Sequence, residues 1–165
     1  KKRILQRIPM AWYFEGMGHA MAQRYENALE AYNKALTGYR ELGKTKDEAD
    51  VLVGIASVKN YLCEFEESRN RYFQALVLAK QIGNAKKQME ILREIWSIGN
   101  STGDMKLVRS TSASMDSLIN VTEDADLRFS YFCQKGDEAK SKGQFLLAEK
   151  WYIKGKELAE SRRNP

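Results

Sequence analysis

The chain has 165 residues, 43% hydrophobic and 30% charged, with a formal net charge of +5. Such a balance suits an ordered, soluble fold whose core needs no staple, while two cysteines and one histidine exclude a disulfide scaffold and any site of paired imidazoles. No apolar run approaches the ~18 residues of a membrane span, and the basic residues interleave with acids, unlike a phosphate-tracking groove.

In chain order, a basic segment over 1–8, with the cluster "KKR" at its start, precedes the first helical pattern at about 9–22. The absence of an opening methionine leads us to expect a fragment of a longer protein. A polar break, "QRYE", leads to a helix at about 26–42, where Ala28, Leu29, Tyr32, Ala35, Leu36, Tyr39 and Leu42 form one stripe of period 3.6. Glu26 suits the positive end of that helix, and Gly43 follows its last apolar residue as a left-handed cap. The same design recurs at about 46–63 and 66–82, with Glu66 and Gly83 in the corresponding places. Further helices are predicted at about 86–101, 105–120, 124–142 and 146–161, before a tail at 162–165. Cys63 and Cys133 are read as buried thiols and His19 as a satisfied side chain. No metal and no cofactor is expected.

One offset dominates. Tyr25, Phe65, Met105 and Phe145 are each 40 residues apart, as are Ala28, Ser68, Val108 and Ala148. So are Trp12, Leu52, Leu92 and Phe132, followed by Gly16, Ala56, Trp96 and Gly136, then Tyr32, Tyr72, Ser112 and Tyr152, and last Ala35, Ala75, Met115 and Gly155. Four copies in one register predict an all-α solenoid of four helical hairpins, with copies at about 9–43, 46–83, 86–120 and 124–161 forming a single domain over 9–161. Small residues let paired backbones approach, and bulky ones fill the space between hairpins. The third copy departs, with Ser112 for an aromatic, Asp116 for Leu36 and Leu76, and Trp96 for a small residue. Its hairpin is therefore expected to be the most irregular or mobile.

The pattern of a large residue, a small one, an aromatic at the turn and then small–aromatic–small resembles the tetratricopeptide repeat. Leu52, Ala56, Phe65, Ser68, Tyr72 and Ala75 carry the likeness in the second copy, and Phe132, Gly136, Gly143, Phe145, Ala148, Tyr152 and Gly155 in the fourth. The 40-residue period is similar to the long-helix variety of that family. The resemblance implies a right-handed superhelix whose first helices line a concave, peptide-binding face. By register that groove would hold Met10, Tyr13, Met17 and Met21, then Val53, Ser57, Asn60 and Tyr61. It would continue with Arg93, Ser97 and Asn100, and end with Cys133, Asp137 and Lys140. Its first end is rich in methionine and its other end polar, with Asn60 and Asn100 poised to bond a peptide backbone. The places of the family's carboxylate clamp hold Tyr13, Met17, Gly54, Glu90 and Glu94, which excludes capture of a C-terminal carboxylate.

No nucleophile–base spelling or phosphate loop appears, so no enzyme is expected; "GMG" at 16–18 reads as close packing. The expected function is a scaffold that binds a protein or peptide, without direct contact to nucleic acid and without membrane insertion. The alternative is a sensory or regulatory segment of a larger signalling or transcription-regulating protein. The last copy still carries Phe145, Leu147, Trp151, Tyr152 and Leu158, which leads us to expect further chain or a homodimer contact there.

Overall fold

In the computed structural model, residues 7–161 are described; the cluster at 1–3 and the tail at 162–165 lie outside them. Eight helices follow one another among these residues. They are α1 Arg7–Met21, α2 Tyr25–Glu41, α3 Thr45–Tyr61, α4 Phe65–Gln81, α5 Ala85–Thr102, α6 Met105–Val121, α7 Ala125–Ser141 and α8 Phe145–Ser161. Each bound lies within about two residues of the expected one. The fold is an all-α repeat of consecutive helical hairpins. It falls into two compact units, one ending at Ser114 and the other beginning at Met115.

The turns explain the regularity. Gln23, Gly43, Cys63, Gly83, Gly103 and Gly143 all have a left-handed backbone, with φ between 57° and 73°. Around five of these residues the chain closes in one way, the N–H of the third residue after the helix reaching back to a carbonyl five residues earlier. Lys44 to Tyr39 and Glu64 to Lys59, both 2.9 Å, are examples. Cys63 stands where the later copies have glycine. Holding that turn exposes its thiol, so the expectation of two buried thiols fails there. At the α6–α7 link the left-handed residue is replaced by a side-chain cap, Asp124 Oδ1 accepting from Leu127 N at 2.9 Å.

Between paired helices a tyrosine enters a place left by a small residue. A Cβ built on Gly16 would lie 2.6 Å from the Tyr32 ring, and one on Gly54 would lie 2.9 Å from it. Gly136 receives Tyr152 in the same manner. In the second hairpin Ala56 takes the glycine's place, and its carbonyl accepts from the buried Ser68 hydroxyl at 2.7 Å. The small positions Ala28, Ser68, Val108 and Ala148 are all buried. "GMG" divides: Gly16 is a contact, whereas Gly18 faces open space.

The third copy runs as two uninterrupted helices, against the irregularity expected of it. Side-chain caps support both, Asn84 accepting from Lys87 N and Asp104 from Leu107 N. The polar stretch bonds its own helix, Thr111 Oγ1 donating to Leu107 O and Ser114 Oγ to Ser110 O. The close approach also moves: a Cβ on Gly99 would sit 3.0 Å from Val108.

The departure at Asp116 has its consequence in the second unit. Leu36 is buried where α2 packs on α3, with Val51 and Ile55 buried on α3. The corresponding residues of the second unit are Asp116, Tyr131 and Lys135. There the Tyr131 hydroxyl donates to Asp116, and Lys135 Nζ lies 3.8 Å from the same carboxylate. An apolar junction has become a polar one.

Two stability changes follow, both readable from urea unfolding. Cys63→Gly relieves a left-handed residue and gains about 0.5–1 kcal/mol, the difference between the strain removed and the chain entropy added. Asp116→Leu alone loses about 1–3 kcal/mol by leaving the buried Tyr131 hydroxyl without its acceptor. Adding Tyr131→Ile and Lys135→Ile restores the apolar junction and recovers that loss.

Candidate functional site

Within the first unit, α1, α3 and α5 share a polar network. Lys87 on α5 reaches Asp50 on α3 and Glu90 on its own helix, both at 2.9 Å. The half-buried Tyr13 on α1 lies in the field of the same groups. Its hydroxyl is held above the ordinary phenol range by burial first and by the Asp50 charge second. Two turns further along α3, Ser57 hydrogen-bonds the Tyr72 hydroxyl at 2.9 Å. Tyr72 is 1% exposed, and burial pushes its pKa up to about 12. Beside it Glu94 is half-buried, and desolvation raises its carboxyl above the usual value.

The sequence-predicted residues divide into three groups. Tyr13, Val53, Ser57 and Asn60 are half-buried on α1 and α3, and Tyr13 and Ser57 join the network just described. Met10, Met17, Met21, Tyr61, Arg93, Ser97 and Asn100 are exposed. Met21 is 83% accessible, and Tyr61 stacks on Tyr25 with ring centroids 6.0 Å apart. Asn100 does not keep its amide free at both ends, because its Nδ2 donates to Trp96 O of its own helix at 3.0 Å. Cys133, Asp137 and Lys140 belong to the second unit, where Asp137 accepts from the Tyr152 hydroxyl at 2.6 Å. His19 is not the satisfied histidine expected: its Nδ1 is buried without a hydrogen-bond partner among the described residues, and Nε2 lies 3.7 Å from Glu15.

Lys87 escaped the register argument. It lies on the first turn of α5, outside the face positions carried over from the family, yet its long stem brings the ammonium onto that face. Its charge is spent on Asp50 and Glu90. With Glu94 as a further acid, the clamp positions still offer no cation to a carboxylate.

No protein-family model matches the chain, and no curated protein matches it. Among solved structures it is similar to BtubC (BKLC) from P. vanneervenii. The TM-score is 0.68 at 19% identity, over 95% of this chain and 65% of that one. It is also similar to aspartyl phosphate phosphatase F from Bacillus subtilis, with a TM-score of 0.46 at 12% identity, over 94% of this chain and 50% of that one. The chain thus spans less than two thirds of either protein. At such identity the first likeness bears on the fold alone.

The buried tyrosines carry a pH signature. Tyr32, like Tyr72, is pushed by burial to about 12 from an ordinary 10. A folded-state pKa above the unfolded one means that the neutral phenol favours the native state. The stabilisation is complete below pH 10 and is lost as pH rises from 10 toward 12. Urea midpoints should fall across that window, and Tyr72→Phe should flatten the decline.

Proposed function

We propose that the chain is a non-catalytic scaffold of tetratricopeptide type that binds a protein or peptide on the face formed by α1, α3 and α5 of its first unit. One observation carries the reading. The first helices carry a row of side chains outside the hairpin core, Tyr13, Val53, Ser57, Asn60, Ser97 and Asn100, each half-buried or exposed. The buried positions of α3 and α5 are others, among them Val51, Leu52, Ile55, Ala56, Ile91, Leu92 and Ile95.

The chemistry of the face suggests what it would hold. Met10, Met17 and Tyr13 offer adaptable apolar contact at one end. Asp50, Glu90 and Glu94 against Lys87 and Arg93 leave an excess of one negative charge towards the other. An extended or helical peptide with an apolar end and a basic end fits that distribution. Ser57 is engaged by Tyr72, a phenol that stays protonated at neutral pH. That pair is a poor nucleophile–base couple and a good hydrogen-bonding surface.

The test is position-specific crosslinking of the chain in its native host. A photoreactive benzoylphenylalanine at Ser97 should label a polypeptide partner, and the same group at the exposed Gln74 on α4 should not. Tyr13→Ala should then weaken capture by about tenfold or more, as loss of an aromatic anchor does. Equal labelling from both positions, or capture indifferent to Tyr13, would remove the α1/α3/α5 face as the binding surface.

A further inference from the structure

The two units contain the same groove in two chemical versions. In the first unit a cleft of about 270 Å³ is lined by Arg40, Glu48, Leu52, Gln74, Val77 and Leu78. It is closed by an ion pair, Arg40 Nε to Glu48 Oε1 at 2.8 Å. Moving each of those six residues 80 places along the chain gives Asn120, Arg128, Phe132, Lys154, Glu157 and Leu158. All six line one cleft of the second unit, whose volume is about 710 Å³. Repeat symmetry has conserved the groove's position within the chain while its chemistry has changed.

Three changes matter. The ion pair has gone, because Asn120 stands for Arg40 and Arg128 for Glu48. Arg128 is a cation where the first groove has a carboxylate, and its Nε is buried without a hydrogen-bond partner among the described residues. The wall has become aromatic. Trp151 replaces Ala31, Arg71 and Thr111 of the other copies, and its ring stacks on Phe132 at 5.9 Å and meets Tyr131 edge-on at 6.5 Å. Lys154 Nζ lies 4.5 Å above the Trp151 ring. The remaining charges are two acids and a lysine. Asp116 is held by the Tyr131 hydroxyl and by Lys135, and Glu157 lies three residues from Lys154 on α8.

We propose that this cleft binds a small organic anion with a flat apolar body. A guanidinium with an unmet buried donor calls for a planar acceptor, and a carboxylate meets it with two parallel bonds. In the first groove Glu48 supplies such a carboxylate from within the chain; in the second, the ligand takes that part. The Phe132–Trp151 wall receives the apolar body by stacking, and Lys154 adds positive charge at the mouth. The volume is in the range of ordinary small-molecule sites, ~300–1,000 Å³. This inference uses only residues of the second unit and stands apart from the proposed peptide face.

The whole chain would be titrated by calorimetry with 2-naphthoate and with its uncharged analogue 2-naphthamide, while the Trp151 indole N–H is followed by NMR. The expected result is naphthoate binding with a Kd below about 1 mM and a shift of the Trp151 signal. Naphthamide should bind at least ~10-fold more weakly, as should naphthoate to Arg128→Gln, since a hydrogen bond to a charged group is worth that factor or more. Because Arg128→Gln alone could disturb folding, the double variant Asn120→Arg/Arg128→Glu rebuilds the ion pair of the first groove. It should keep its thermal transition and lose naphthoate. Equal affinity for the two probes, undiminished naphthoate binding to either variant, or no Trp151 shift at about 10 mM probe would each overturn the proposal.

Discussion

The structure depends on a steric constraint: a tyrosine of one helix occupies the space that a missing side chain leaves on its partner. Gly16 and Gly136 tolerate no Cβ without displacing Tyr32 and Tyr152. In the second hairpin Ala56, fully buried, holds the corresponding place. Everything else in the repeat is arranged to deliver these pairs. Left-handed turns stand 20 residues apart from Gln23 to Gly103 and again at Gly143. The buried positions Ala28, Ser68 and Ala148 let the backbones close. Tyr72 meets two needs at once, its ring packing in the core and its hydroxyl hydrogen-bonded to Ser57 on α3.

Because the packing is carried by so few positions, the others are free to change chemistry without changing the fold. The third hairpin shows how far this goes. It has lost its tyrosine and gained Trp96, yet it forms two full helices by adding side-chain caps at Asn84 and Asp104 and by moving the close contact to Gly99. The same freedom accounts for the two clefts. One geometry holds an internal ion pair in the first unit and, in the second, a guanidinium beside aromatic rings, its Nε without a partner among the described residues.

Much of this is legible in the letters, and the limits are physical. Helix bounds, glycine turns and the small–large alternation follow from period and size, which backbone geometry reads directly. Cys63 and Gln23 show where that stops. A left-handed residue needs no glycine if the turn's hydrogen bonds repay the strain, and only their 40-residue spacing from Gly103 and Gly143 could have revealed them. Asp116 is visible as an anomaly, but its meaning requires Lys135 and Tyr131, residues that look unremarkable until the register pairs them with Ile55 and Val51. Of the face residues, Tyr13 and Ser57 were found by register. Lys87 was not, because a long side chain travels farther than its Cα position suggests. The local bond from Asn100 to Trp96 was likewise beyond a register argument.

The steric account is tested most directly by Gly16→Ala in two backgrounds, wild type and Tyr32→Ala, with stability read from urea unfolding. In the wild type the new methyl must displace the Tyr32 ring, and the change should cost about 1–3 kcal/mol. With the ring removed, the same change should become neutral or stabilising by up to ~1 kcal/mol, the ordinary gain of alanine over glycine in a helix. An equal loss in both backgrounds would show that Gly16 does not exist to receive Tyr32, contradicting the claim that these paired sizes hold the hairpins together.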